Sequence, residues 1–494
     1  MDRIIKSDTL IVITGATATG KSSFAMELKN YLETHLQNGK KVVLINCDAM
    51  QVYQELPIAT NKDFDIKMVN VITPEESIDY NVQKYQQDTL RIIEDVHSRG
   101  QIPILVGGTH YYAQAIVRGD FLINDNEDTV KNNNLEQKKI ELKKLNLESD
   151  KCTNAVLHET LKSYDSETAS KLHVNDRRRI IDAIRIIQNT GAKPSLLKDK
   201  QNRYLRFPKT LCFHIRRDKK EIEDRINKRV KDMMKRGLMR EVVYFCKNHE
   251  PTLQNVIENR NISSLPSPQE IVSGERDKLL IQSEHVKRSL YKAGIMQCIG
   301  FKEMRPLAEY LCKLPEIQLR KYIDMIELHG SGHAMLPPSP ASKKKLHFTE
   351  DSLPHEAQNI MKNCVERLQQ VTRQYARRQI KTFNNTWCCD TSPFFTNTEG
   401  GDSAIIEINL SKPVDREKIY HHCLKWIEES TPLSTLFDPS LLILKPRHIK
   451  DKTWKKYTCE TCNKTLNGKN EWGDHLSSKN HKKKAKKLLK AQYD

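Results

Sequence analysis

Nothing in the 494 residues approaches the ~18 to 20 consecutive apolar residues that a membrane-spanning helix needs, so no membrane role is expected. With an acid at Asp2 and an apolar run from Leu10, neither a secretory leader nor a long presequence is expected. The close cysteine spacing of a disulfide-stapled scaffold is missing too. The 12 cysteines are scattered along the chain, which points to a reducing compartment. Acidic residues are in deficit, 63 Asp and Glu against 81 Lys and Arg, for a net charge of +18. That surplus fits a polyanionic partner, because cations on phosphates release counterions, although any basic soluble protein satisfies the same arithmetic.

What is present is apolar material, 38% of residues, interleaved with 29% charged ones. The length calls for two or three folded units. Leu10 to Thr14, residues 41–46 (KVVLIN) and residues 102–106 (IPILV) read as short buried strands. Ser22 to Leu36 and Asn81 to Ser98 read as helices between them. Strands alternating with helices predict an α/β core, a parallel sheet with helices on both faces. Polar helical patterns follow from about Asp120 to Gln201, including Asn124 to Asn146 and Asn175 to Ile187. Leu211 to Ile215 predicts a further strand, and Lys219 to Cys246 one long helix. Asn248 to Ser273, with three prolines, reads as a loose insertion. Asp277 to Met304 and Leu353 to Phe383 read as helices, and residues 330–346 as a linker. The expected units are 1–120 and 206–390 for the core, 121–205 for a helical insertion, 391–452 as linker or unassigned, and 453–494 as a basic end module.

Residues 15–22, Gly15, Ala16, Thr17, Ala18, Thr19, Gly20, Lys21 and Ser22, match G-x-x-x-x-G-K-[ST] in full, between a strand and a helix. Such a P-loop turns successive N–H groups toward phosphate oxygens at the positive end of a helix. Lys21 supplies charge, and the Ser22 hydroxyl is placed to hold Mg²⁺. The motif alone leaves the phosphate compound open, with nucleotide kinase or ATPase as the ordinary reading. Asp48, just past the KVVLIN strand, stands at the sheet edge where ligands gather. It fits a water-mediated Mg²⁺ ligand, a general base, or a plain helix cap. Gly107, Gly108 and Thr109 follow the IPILV strand and allow close approach to a ligand.

The ordered set of GATATGKSS (15–23), CDAMQVY (47–53), IATNK (58–62) and VGGTHYY (106–112) resembles the tRNA dimethylallyltransferases, also called tRNA isopentenyl transferases. The resemblance continues through residues 173–186, 189–195, 225–238 and 294–303 to VTRQYARRQIKTF (371–383), and the chain's finger-like end is similar to the eukaryotic branch. It implies transfer of a dimethylallyl group from its diphosphate to the exocyclic amine of the adenosine next to the anticodon. The P-loop then holds a departing pyrophosphate. By position Asp48 is implied as general base, Gln51 as a partner of the target adenine, and Thr109 as a contact to the pyrophosphate. Arg229, with Arg225 second, is implied as the clamp on that pyrophosphate. Asp48, Ala49, Met50 and Gln51 are implied to meet the RNA. Two departures stand out: Ala49 replaces a usual serine, and Asp182 a usual arginine, for which Arg177, Arg178 and Arg179 compensate.

Arg177, Arg178, Arg179 and Arg185 share one predicted helix, and Arg373, Arg377, Arg378 and Lys381 another. Such rows are most often solvated faces; within the resemblance they face tRNA, since the target base must be drawn from its stack. Cys459-x2-Cys462-x12-His475-x5-His481 has the ligand spacing of a C2H2 zinc finger, with Tyr457 and Leu476 as apolar fillers. A lysine-rich tail, residues 479–490, suits RNA backbone or nuclear targeting. The expected partners are the tRNA anticodon stem-loop and dimethylallyl diphosphate, with Mg²⁺ and structural Zn²⁺. A monomer is expected in the cytoplasm, with nuclear and mitochondrial shares. The competing expectation is a P-loop kinase of a nucleoside or small metabolite carrying an RNA-binding finger.

Overall fold

The computed structural model describes residues 9–62, 65–119, 121–122, 142, 147, 152–200, 204–263, 294–327, 354–389, 392–396, 403–429, 431–443, 456–462 and 464–490. The chain divides into two compact units: residues 1–119 with 203–447, and residues 120–202 with 448–494.

The first unit is built on five strands: β1 (Thr9–Gly15), β2 (Val42–Asn46), β3 (Ile102–Gly107), β4 (Lys209–Arg216) and β5 (Ala404–Asn409). All pairings are parallel, in the order β2-β3-β1-β4-β5. Because alternate side chains leave opposite faces of a strand, Leu10 and Val12 enter one apolar core while Ile11 and Ile13 enter the other. With both faces buried, β1 reads as an unbroken apolar run rather than an alternating one. Helices α1 (Lys21–His35), α2 (Pro57–Thr60), α3 (Val82–Ser98) and α4 (His110–Val117) follow in the N-terminal part of this unit. The Asn81 side chain accepts the N–H groups of Gln83 and Lys84 and so starts α3.

Several sequence expectations change. The stripe from Lys219 to Cys246 is two helices, α5 (Lys219–Lys235) and α6 (Leu238–Asn248). Gly237 separates them in a left-handed conformation, φ 98°. The supposed loose insertion holds a helix, Glu250–Ser263, whose Pro251 sits in the first turn where a missing N–H costs nothing; Leu253 is fully buried. Most of the helix expected from Asp277 lies outside the described residues, and α7 (Phe301–Leu311) begins only after Gly300. The 330–346 linker and nearly all of 124–146 also lie outside them. A long helix, α8 (His355–Thr386), runs as the spacing predicts. The 391–452 segment is no linker: it supplies β5 and α9 (Arg416–Glu428), burying Ile405, Ile406, Ile408, Cys423 and Trp426 in the core. Its strand was overlooked because the partner, β4, lies so far upstream.

The second unit contains helices Asn154–Tyr164, Ser166–Lys171, Arg177–Thr190 and Pro194–Lys200. Leu157, Leu161, Ile180, Ile184 and Ile187 form its core. Asp165 ties two turns together by accepting from the Thr168 N–H and hydroxyl and from the Ser195 N–H. Its carboxyl lies below the ordinary range because these donors outweigh the opposing effect of burial. The C-terminal hairpin, β6 (Lys456–Cys459) with β7 (Lys464–Asn467), is followed by helices Gly468–Ser477 and Lys479–Lys490. This end belongs to the same unit as the insertion, and His173 Nε2 lies 2.8 Å from Glu471 Oε1.

Candidate active site

The sequence Gly15 to Ser22 forms a loop at the C-terminal edge of β1. Thr19 Oγ1 and Lys21 Nζ both donate to the Ala16 carbonyl, at 2.8 and 3.0 Å. Three arginines brace the loop from outside its own sequence. Arg217 Nε donates to Thr19 O at 2.9 Å, Arg225 Nε to Ala18 O at 2.7 Å, and Arg229 Nη1 to Thr17 Oγ1 at 3.1 Å. Arg217 escaped the sequence reading because nothing near it marks a site; its place just past β4 brings it there. Burial first, and Arg229 with it, hold the Lys21 ammonium down to about 8, while Asp48 opposes them.

Asp48 follows β2 and is fixed by its neighbours. Its N–H donates to Asn46 Oδ1 at 2.9 Å, its carbonyl accepts from Asn46 Nδ2 at 3.0 Å, and its Oδ1 accepts the Met50 N–H at 3.0 Å. The cap reading of Asp48 is thus partly realised as a local turn, with the carboxylate still lining the cavity. The Thr109 hydroxyl receives the Ala49 N–H at 3.1 Å, which ties the β2 and β3 ends together. The two glycines before it are required by close packing within the protein. A Cβ on Gly107 would lie 2.1 Å from Cys47 O, and one on Gly108 2.3 Å from Gln379 Nε2. They admit the protein's own groups, and Gly107 also lines the cavity. His110 in the same turn is buried, with Nδ1 3.1 Å from Thr14 Oγ1. Burial, helped by Lys21, depresses it to about 3, so it stays neutral.

Thr17, Lys21, Ser22, Asp48, Gln51, Thr109 and Arg229 line one cavity of about 500 Å³. Arg229 is therefore favoured over Arg225, which is exposed and reaches only a loop carbonyl. Val106, Val230, Met233, Leu368 and Val371 give the cavity an apolar wall, and Lys302 and Arg378 add cations. The sequence reading missed Tyr375 and Gln379, both lining it from α8. Burial chiefly, and Asp48 next, push the Tyr375 phenol far above its ordinary value, while a hydrogen bond with Thr109 opposes them. Their signal was available: Leu368, Thr372, Ala376, Gln379 and Phe383 form the buried stripe of α8, and a glutamine in such a stripe is out of place. Gln51 Nε2 donates to Thr60 O and Asn61 O, at 3.1 and 2.9 Å. The segment bearing those carbonyls begins at α2, whose Ile58 and Ala59 N–H groups are held by the buried Glu241 carboxylate at 2.6 and 2.8 Å.

The arginines expected to face RNA separate into two kinds. Arg177 turns inward, donating to Cys152 O and to Leu147 O, and so holds the insertion together. Arg373 donates to Asn227 and Arg377 to Glu223, fastening α8 to α5. Arg178 and Arg179 remain on the surface, with long ion pairs of 3.9 Å to Asp182 and 3.5 Å to Asp176.

In the second unit the ligand atoms of Cys459, Cys462, His475 and His481 lie within 4.8 Å of one another. His475 Nε2 is buried with no hydrogen-bond partner, as expected of an atom aimed at a metal. Two thiols and two imidazoles suit tetrahedral Zn²⁺. Tyr457 packs as expected, stacked 5.5 Å from Trp472. Leu476 does not: it is exposed.

Fold and site together define a P-loop α/β protein in which a carboxylate and an apolar wall share a cavity with a phosphate cradle. The IPP transferase family profile matches residues 51–330, more than half of the chain, and the C2H2-type zinc-finger profile matches residues 457–481. The tRNA dimethylallyltransferase of Homo sapiens is 26% identical over 98% of this chain and 87% of its own length. That of Saccharomyces cerevisiae is 27% identical over 97% and 93%. A solved structure of a eukaryotic dimethylallyltransferase acting on tRNA superposes with a TM-score of 0.60, at 24% identity and 98% coverage of both chains. The chain belongs to the IPP transferase family.

Proposed function

We propose that this chain is a tRNA dimethylallyltransferase, moving the dimethylallyl group of dimethylallyl diphosphate to N6 of the adenosine next to the anticodon. One observation carries the reading: phosphate cradle, carboxylate and apolar wall open on the same cavity. The family and the full-length relatives of that name supply the substrates.

The donor's diphosphate lies on the loop amides, Lys21 and Arg229, and its five-carbon tail lies against Val230, Met233 and Leu368. As the allylic C–O bond breaks, its electron pair leaves with pyrophosphate, whose growing charge the cradle stabilises. The adenine N6 forms the new bond to carbon and loses a proton, which Asp48 accepts. Gln51 meets the adenine through Oε1, because its Nε2 is committed to Thr60 and Asn61. Ser22 at the start of α1 would hold Mg²⁺, which would supply positive charge against the leaving group. The exposed Arg178 and Arg179 and the lysine-rich finger end suit the anticodon stem-loop backbone. The zinc finger contributes affinity, since four protein ligands leave no open position for chemistry.

The test is mass spectrometry of tRNA nucleosides after incubation with enzyme and dimethylallyl diphosphate, without ATP. An isopentenylated adenosine is expected. ATP hydrolysis with no modified base would transfer the assignment to a P-loop kinase.

A further inference from the structure

We infer that Gln379 is a positioning residue, an amide clasp that joins the phosphate loop to the Gly107–Gly108 turn and thereby sets the shape of the diphosphate cradle. The inference rests on the transfer reading above and adds to it a residue with no direct part in the chemistry.

Gln379 is 5% exposed, on the face of α8 turned to the cavity. Its Oε1 accepts the Thr17 N–H at 2.8 Å, and its Nε2 donates to the Gly108 carbonyl at 2.9 Å. Three segments far apart in sequence therefore meet on one side chain. Each of the two loops is functional in its own right. Thr17 also receives Arg229, the cation beside the cradle. Gly108 precedes Thr109, whose hydroxyl lines the cavity and receives the Ala49 N–H next to Asp48. Fixing Thr17 against Gly108 fixes the separation of the phosphate loop from Thr109, the two sides between which a diphosphate would lie.

The chemistry of the position is selective. The Thr17 N–H needs an acceptor and the Gly108 carbonyl needs a donor, and an amide offers both at the right separation. A carboxylate satisfies the first and repels the second, unless protonated. A methionine matches the volume and satisfies neither. Leaving two buried main-chain groups unpaired is costly, and the loop would move to find other partners. Glycine at 108 is part of the arrangement, since a Cβ there would lie 2.3 Å from Nε2 and displace the amide.

The experiment compares full-length wild type with Gln379→Met, Gln379→Glu and Gly108→Ala in steady-state prenyl transfer and in pyrophosphate binding by calorimetry. For Gln379→Met, the donor KM and the pyrophosphate Kd should each rise about tenfold, with the tRNA KM within about twofold of wild type. Gly108→Ala should reproduce this, and the double variant should add little. Gln379→Glu should behave like Gln379→Met at alkaline pH and recover as pH falls, because the protonated acid regains a donor for the Gly108 carbonyl. Variants with lower melting temperature or kcat but wild-type donor KM and pyrophosphate Kd would reduce Gln379 to a structural residue and overturn the clasp. If the wild type transfers no prenyl group, the functional reading fails instead, and pyrophosphate affinity alone decides the clasp.

Discussion

The phosphate loop and α8 face the same cavity, yet they reveal it differently. The loop concentrates its function in eight consecutive residues, Gly15 to Ser22, because convergent backbone N–H groups can come only from neighbouring residues. In α8 the cavity-facing side chains, Leu368, Thr372, Tyr375 and Gln379, are diluted among exposed cations. Their meaning depends on what the helix packs against. One half of the site is thus written as a word and the other as a spacing.

The sharpest break of this contrast is at Asp48, which belongs to neither side. Asp48→Ala should lower single-turnover prenyl transfer by ~10² to 10⁴ while tRNA binding stays near wild type. Full turnover in that variant would place the base elsewhere. Next come the two arginines of α5. Arg229→Ala should reduce kcat/KM about 10²-fold, as for loss of a group that stabilises leaving charge. Arg225→Ala, touching only a loop carbonyl, should cost less than about tenfold; equal losses would erase the distinction drawn between them.

Smaller in effect is Glu241, the anchor beneath Gln51. Burial raises its carboxyl to about 7, against the pull of the Ala59 and Ile58 N–H groups and Lys62. A folded value above the ordinary 4.5 means its stabilising contribution is complete below that pH and is lost as pH rises through about 7. Over that window the wild type should lose up to about 3 kcal/mol that Glu241→Gln does not. Denaturant melts at several pH values would show it, and parallel slopes for the two proteins would reject it. The smallest effect concerns the insertion. Arg178→Ala with Arg179→Ala should weaken tRNA binding severalfold and flatten its salt dependence by about one to two phosphate contacts. Arg177→Ala should instead lower the melting temperature, since that guanidinium holds main-chain carbonyls.

Local patterns carried much of the fold. The strands β1 to β4, helices α1 and α3, the phosphate loop and the four finger ligands were legible because each follows from nearby residues. The break at Gly237 does leave a trace in the spacing: Ile222, Ile226, Val230 and Met233 share one face, whereas Leu238, Val242 and Phe245 would fall on a different face of the same continuous helix. Arg177 and Arg373 looked like their exposed neighbours, and only tertiary carbonyls and Asn227 turn them inward. The α2 turn depends on Glu241, and Gln51 on the carbonyls around that turn. Those partners are fixed by packing, which the spacing of charges does not record.

Strand β5 has a further consequence for how the protein is made. It covers the outer edge of β4 only after about 190 more residues have been added, roughly 10 to 40 s at typical rates of synthesis. Throughout that interval the nascent chain carries an open strand edge beside Phe213 and Ile215. The core therefore closes late, and chaperone protection matters most before residues 404–409 leave the ribosome.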